Sequence, residues 1–490
     1  RMSISNIVKS IQDIMRKDAG VDGDAQRIGQ MAWLLFLKIY DAQEEELEMM
    51  DDNYEPPIPE ELLWRNWASD KEGITGEGML DFINGKLFPG IKNLHATPIS
   101  NPRGFVAKEA FSDAFNYMKN GTLLRQVVNK VDEIDFNSSS ERHTFGDIYE
   151  TILKDLQSSG NSGEFYTPRA VTRFMVDMVN PKLAEKVMDP ACGTGGFLAC
   201  TMDHIKESGS VNTPEENQIL QKQIYGVEKK QLPHLLCTTN MLLHGIEVPS
   251  QILHDNTLAR PLRDWGPKDR VKVVVANPPF GGMEEDGIEL NFPAATRTRE
   301  TADLFLQLIV HILEANGRAA IVLPDGTLFG EGVKTKIKEK LLNECNLHTI
   351  VRLPNSVFAP YTSIKTNILF FEKGTPTQEI WYYEQQLAAG VKAYNKTKPM
   401  KLSEFDGCKQ WWGGDHRKDR VGNEQAWKVS IEDIKASNYN LDVKNPHQVD
   451  IDHGDPDELL ADYQNLQGEI ANTLDLLKAE LEKALTEAQQ

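Results

Sequence analysis

The residues with the clearest chemical potential are Asn277-Pro278-Pro279-Phe280, which close the Val-rich run from Val271 to Ala276. Neither proline carries an N–H, and Pro278 holds Asn277 in an extended conformation. The side-chain carbonyl of Asn277 and the main-chain carbonyl of Pro278 can therefore point together at a planar amino group. The ring of Phe280 is then free to lie flat against whatever bears that group. Taken alone, the tetrad reads equally well as a strand followed by an Asn-Pro turn, so its surroundings decide.

A second constellation, Asp189-Pro-Ala-Cys192-Gly193-Thr194-Gly195-Gly196-Phe197, falls between a strand-like and a helix-like stretch. Glycines at such a junction let the backbone approach a ligand that faces a helix N-terminus, which marks a cofactor loop. The loop lacks the Gly-Lys-Ser/Thr ending of a nucleoside-triphosphate site, and Leu198 stands where a dinucleotide fingerprint needs a small residue. The next strand ends at Glu228, suited to the two hydroxyls of a ribose, and a third at Asp255, an acceptor suited to an adenine amino group. Each acid alone reads equally as a surface carboxylate. Three at successive strand ends favour a nucleoside site.

Such residues need a sheet to hold them. From Phe145 onward short apolar strands alternate with amphipathic helices, which argues for an α/β domain. Seven strands are expected near 186–189, 224–228, 251–254, 271–276, 318–323, 348–353 and 367–372, with helices over 168–179, 196–206, 230–244, 302–315 and 333–345. The last two strands are joined by loop alone, so at least one runs antiparallel on a mostly parallel sheet. Ahead of it, apolar residues at helical spacing over Ser3–Lys17 and Asp24–Tyr40 predict a helical domain, in which Trp64 and Trp67 are core residues. The expected domains are 1–140 (helical), 141–375 (catalytic), 376–450 (mixed extension) and 451–490 (helical tail). Lys392 to Arg420 is locally basic and carries Trp411-Trp412, either a nucleic-acid contact or, more in keeping with a loop, a packed aromatic pair. In the tail Leu459, Tyr463, Leu466, Ile470, Leu474, Leu477, Leu481 and Leu485 form a narrow stripe, which either folds back or meets a partner helix.

Composition narrows the function classes. The 490 residues suit about three domains. No stretch approaches the ~20 apolar residues of a membrane span, and there is no signal-peptide pattern behind Arg1-Met2, whose Arg1 reads as a cloning remnant; a cytoplasmic protein is expected. Five scattered cysteines suit free thiols in a reducing compartment. No zinc spacing occurs, and His234-x-x-Cys237 lacks a second pair, so no metal is expected. The net charge of −20 is wrong for a chain that grips a polyanion unaided. Asp41 to Glu61 holds ten acidic and no basic side chains, a solvated face or a surface for a basic partner.

In their order, Gly163-Glu164-Phe165-Tyr166-Thr167-Pro168, Asp189 to Phe197 and Asn277 to Phe280 resemble the S-adenosylmethionine-dependent N6-adenine DNA methyltransferases. More narrowly, the chain resembles the modification subunit of type I restriction–modification systems. The likeness extends over Leu323-Pro-Asp325, Thr366-Asn-Ile-Leu-Phe-Phe371 and both flanking helical regions. It implies a Rossmann-like methyltransferase sheet between an N-terminal helical domain and a C-terminal helical tail. It further implies that Glu164, Phe165, Tyr166, Thr167, Pro168 and Arg169, with Thr194, Gly195 and Gly196, line the methionine end of the cofactor. Asp189 and Gly193 belong to the same loop, Glu228 would meet the ribose and Asp255 the adenine ring. Cys192 is read as packing.

The implied reaction is in-line displacement by the exocyclic nitrogen of a flipped-out adenine. Asn277 and the Pro278 carbonyl draw on its hydrogens and Phe280 stacks on the base. DNA, a specificity subunit that chooses the site, a second copy of this chain and a restriction (nuclease) subunit are the implied partners. Two other readings remain open at this stage: a glutamine amide or an RNA base in place of DNA adenine, and a non-catalytic scaffold that binds cofactor.

Overall fold

A computed structural model describes residues 4–137, 146, 149–150, 167–359, 362–395, 397–448 and 456–487. The expected α/β sheet is present, but it is larger and more mixed than seven mostly parallel strands. Its strands are β1 (Val187–Asp189), β2 (Ile224–Glu228), β3 (Ile252–His254), β4 (Val271–Ala276), β5 (Leu313–Pro324), β6 (Cys345–Arg352), β7 (Thr366–Lys373), β8 (Glu379–Glu384) and β9 (Ala426–Ser430). They lie in the order β3-β2-β1-β4-β5-β7-β6-β8-β9. The first five in that order are parallel, β7 is antiparallel to both β5 and β6, β8 is parallel to β6, and β9 is antiparallel to β8.

The two added strands carry no Val/Ile run that would announce them. Glu-Ile-Trp-Tyr-Tyr-Glu and Ala-Trp-Lys-Val-Ser are joined instead through aromatic cross-strand packing, with Tyr382 stacked on Trp427 at 5.4 Å and 8°. A second departure lies at β5. The helix expected to reach Ala315 stops at Ile312, because Leu313 pairs with Val271 and the following pair is Val273 with Arg318. The residues between form a bulge, with Asn316 left-handed at φ 61°.

In the N-terminal region the helices Ile4–Met15, Asp24–Met50, Pro102–Phe111 and Gly121–Asp132 surround a core of their own. Met31 to Leu37 are buried on every side, as a central helix requires. Trp64 and Trp67 pack in this core at 5.2 Å, as their spacing suggests. The acidic run is partly internal: Asp41 accepts from Arg65 at 3.0 Å and Glu44 from Arg103 at 2.7 Å, both carboxylates being buried.

The helix Gln231–Leu243 joins the two cores. Cys237 and Met241 face the sheet, whereas Leu235, Leu236, Leu242 and Leu243 enter the helical core. Arg103 adds a hydrogen bond to the carbonyl of Glu247 at 2.6 Å. Trp411-Trp412 is a packed pair: Trp412 meets Phe370 at 4.8 Å, and the Arg420 guanidinium lies over both indoles at 4.4 and 4.7 Å. The chain divides into two compact units, Arg1–Lys444 and Asn445–Gln490. In the second, the helix Pro456–Glu487 leaves Leu466, Ile470, Leu474, Leu477, Leu481 and Leu485 more than half exposed. No described helix is long and apolar enough to cross a membrane.

Candidate active site

Strand order fixes where a site can form. β1 lies between β2 and β4, and the chain moves outward from it in both directions, through β2 and β3 on one side and through β4 and β5 on the other. The crevice beyond the carboxyl ends of β1 and β4 is the switch point at which parallel sheets bind ligands. Because β1 to β4 are parallel, Asp189 (last in β1), Glu228 (last in β2), Asp255 (just past β3) and Asn277 (just past β4) all emerge at this edge.

The loop after β1 is shaped by its neighbours. Cys192 N–H donates to the Val227 carbonyl at 3.0 Å, and Gly195 N–H to the Cys192 carbonyl at 2.8 Å. Asn240 Nδ2 holds the Thr194 carbonyl at 3.1 Å. Glu228 clamps the loop from the next strand, its two carboxylate oxygens accepting Gly193 N–H at 2.9 Å and Lys230 N–H at 2.8 Å. Gly195 is left-handed at φ 84°, and a Cβ there would lie 2.7 Å from Cys237 Sγ, so only glycine fits. Gly193 and Gly196 present the opposite situation, since a Cβ on either would meet nothing within 4 Å. Their open side is a backbone cradle, beside the Glu228 carboxylate. These residues fit the nucleoside and methionine parts of S-adenosylmethionine.

Asp189 is buried. Desolvation first, then the Glu228 carboxylate, push its carboxyl up to about 8 against the N–H of Ala191, which donates to it at 3.1 Å. Asp255 is exposed and accepts Asn256 N–H at 2.8 Å. Cys192 is packed with its Sγ 3.8 Å from Cys237 Sγ, and that thiol contact and burial raise its pKa, as befits a packing residue. Among the described residues no group of three or more His, Cys, Asp or Glu side chains could hold a metal ion.

At the tip, Asn277 is 8% exposed, and its Nδ2 donates to Thr167 Oγ1 at 2.9 Å. Its Oδ1 is shielded from solvent and has no hydrogen-bond partner. A buried carbonyl oxygen without a donor is costly, and this one belongs to the residue that the sequence reading names as an acceptor. Phe280 differs from expectation: it is 3% exposed, with its ring set at 90° to that of Phe358 at 6.2 Å. The buried ring of Phe280 thus presents no open face to a base. Pro168 precedes the helix Arg169–Val179, and Arg169 pairs with Glu150 at 2.6 Å. Glu164, Phe165 and Tyr166 lie outside the described residues.

Three features of the site escape sequence reasoning. Phe358, from the loop after β6, has no motif to mark it. Thr167 is assigned to the cofactor by resemblance, yet its hydroxyl sits on the Asn277 amide. Asp325 and Asn367, noted only as parts of longer motifs, meet at the same edge, with Asn367 Nδ2 donating to Asp325 Oδ1 at 2.7 Å and Arg352 3.5 Å from that oxygen.

Comparison with known proteins adds an independent line. The family model described as N-6 DNA Methylase matches residues 140–453, and that of the HsdM N-terminal domain matches residues 4–131. The chain is 67% identical over 486 residues to the methylase subunit of the type I restriction enzyme EcoEI from Escherichia coli, covering 99% of each. It is 26% identical to the EcoKI methylase subunit of Escherichia coli K12, over 86% of this chain and 78% of that one. Among solved structures, a type I restriction modification subunit from Vibrio vulnificus YJ016 aligns with a TM-score of 0.81 at 44% identity, over 92% of this chain and 98% of the other. A chain from a study of complex assembly and conformational transition in a type I system also aligns at 0.81, with 36% identity and 98% of each chain covered.

Proposed function

The chain belongs to the N-6 DNA methylase family as a type I restriction–modification methylase subunit, and from that premise we propose how its residues direct a methyl group to N6 of a flipped-out adenine. The observation that carries the proposal is the buried, unpartnered Oδ1 of Asn277 at the end of β4, next to the strand end that bears Asp189 and two strands from the one that bears Glu228. When bound, S-adenosylmethionine supplies an electrophilic sulfonium methyl. The backbone of Thr194 to Gly196 and the carboxylates of Glu228 and Asp255 are the groups of this chain that would hold it.

The amino nitrogen of adenine is a poor nucleophile because its lone pair is delocalised into the ring. Asn277 Oδ1 and the Pro278 carbonyl accept its two hydrogens, favour a tetrahedral nitrogen and stabilise charge that develops only in the transition state. Pro279 contributes by stiffness, keeping the Pro278 carbonyl aimed outward with no N–H to compete. A base within a duplex cannot reach this crevice, so it is flipped out, and Phe280 offsets part of the lost stacking once its ring is uncovered. Kinship with a DNA restriction methylase over the whole length selects DNA adenine over a glutamine amide or an RNA base.

With a net charge of −20, the chain relies on a partner for much of its hold on DNA. A specificity subunit that selects the site, flanked by two copies of this chain, and a separate restriction subunit complete the proposed assembly. The exposed stripe of the tail is the surface we assign to partner contact. Methyl transfer from labelled cofactor to DNA, measured with and without the co-purified partner, tests this. Site-specific transfer should require the partner; equally robust site-specific methylation by the chain alone would rule the assembly out.

A further inference from the structure

An asparagine amide has two nearly isosteric ends, a carbonyl acceptor and an NH2 donor, and a half-turn about its last bond exchanges them. Opposite an amino group only one orientation is productive, since the other sets donors against donors. The two residues after Asn277 are prolines and offer no N–H with which to hold its oxygen. The orientation is set from elsewhere: Asn277 Nδ2 donates to Thr167 Oγ1 at 2.9 Å, a residue 110 positions earlier in the chain, and Oδ1 is left as the unpartnered end. Thr167 is itself anchored at the start of the helix Arg169–Val179, where Thr172 Oγ1 lies 3.5 Å from the Thr167 carbonyl and 3.3 Å from that of Pro168.

We propose that Thr167 is a positioning residue that sets the catalytic orientation of Asn277, and that its hydroxyl serves the target base through that amide and not the methionine end of the cofactor. The inference rests on the reading of Asn277 as the acceptor for the adenine amino group. Thr167 accepts one hydrogen of Nδ2, and Oδ1 is left buried and without a donor. The amide therefore stands in the productive orientation in the folded chain, before a base arrives.

The test uses the full chain purified with its partner. Thr167→Val keeps the shape and removes the acceptor. It should lower kcat at saturating DNA and cofactor by about tenfold to hundredfold, while the Kd for S-adenosylmethionine, read by calorimetry, stays within about threefold. Thr167→Ser restores the hydroxyl and should recover most of kcat. Weakened cofactor binding with kcat preserved would overturn the proposal, as would a Thr167→Val protein unchanged in both or a serine variant as slow as the valine one. If Thr167→Val fails to fold, Thr167→Ala is judged by the same two readouts. Asn277→Ala measured in parallel separates the two levels: wild-type transfer by that variant would refute the proposed function, whereas its inactivity beside a fully active Thr167→Val refutes only the role of Thr167.

Discussion

Asp189 shows how much the chemistry of one residue depends on its burial. Its carboxyl rises from an ordinary 3.8 to about 8, chiefly through desolvation and further through Glu228. In the fold it stays protonated at neutral pH, whereas in the unfolded chain it ionises. Its contribution to stability is therefore fully present below the unfolded value and is lost as pH rises from about 4 to about 8. Asp189→Asn keeps an oxygen for the Ala191 N–H and cannot ionise. Its melting temperature should therefore gain on that of wild type between about pH 6 and about pH 8, which thermal unfolding across that range measures; a constant difference would contradict the assignment. Asp189 and Glu228 are legible in the sequence because each directly follows a short apolar run, and Asp255 lies one residue beyond another. The partners of the β4 tip are not legible, since Thr167 reaches Asn277 and Phe358 reaches Phe280 only in the folded chain.

At the scale of elements, the strands easiest to read are those buried on both faces, such as Val273–Ala276 and Ile368–Phe371, where sequence and burial say the same thing. β8 and β9 are hard to read because aromatic packing between distant segments, and not a local apolar run, makes them strands. The start of β5 is hard because Leu-Glu-Ala continues the helical pattern and only pairing with Val271 ends it. The cofactor loop illustrates the same division. Its glycines are visible in the sequence, but not which of them is closely packed. Gly193→Ala should cost only backbone strain, about 1 kcal/mol. Gly195→Ala adds a clash with Cys237 and should cost about 2–3 kcal/mol. Chemical denaturation of the two variants distinguishes them, and equal losses would contradict the close approach of the helix Gln231–Leu243.

For the molecule as a whole, that helix places the loop after β1 and the N-terminal helical core back to back, so the helical region and the sheet share one compact unit. In sequence it reads simply as apolar; which of its faces serves which core appears only when both are folded. The strongly acidic balance, by contrast, is evident from composition, and it argues that the chain brings chemistry to DNA held by others. The central claim remains that the β4 tip methylates adenine, and nucleoside analysis of DNA labelled from S-adenosylmethionine by the partnered complex tests it most directly. The account predicts label in N6-methyladenine, reduced at least about a hundredfold by Asn277→Ala with cofactor binding intact. Label on another base, or an Asn277→Ala complex as fast as wild type, would contradict it.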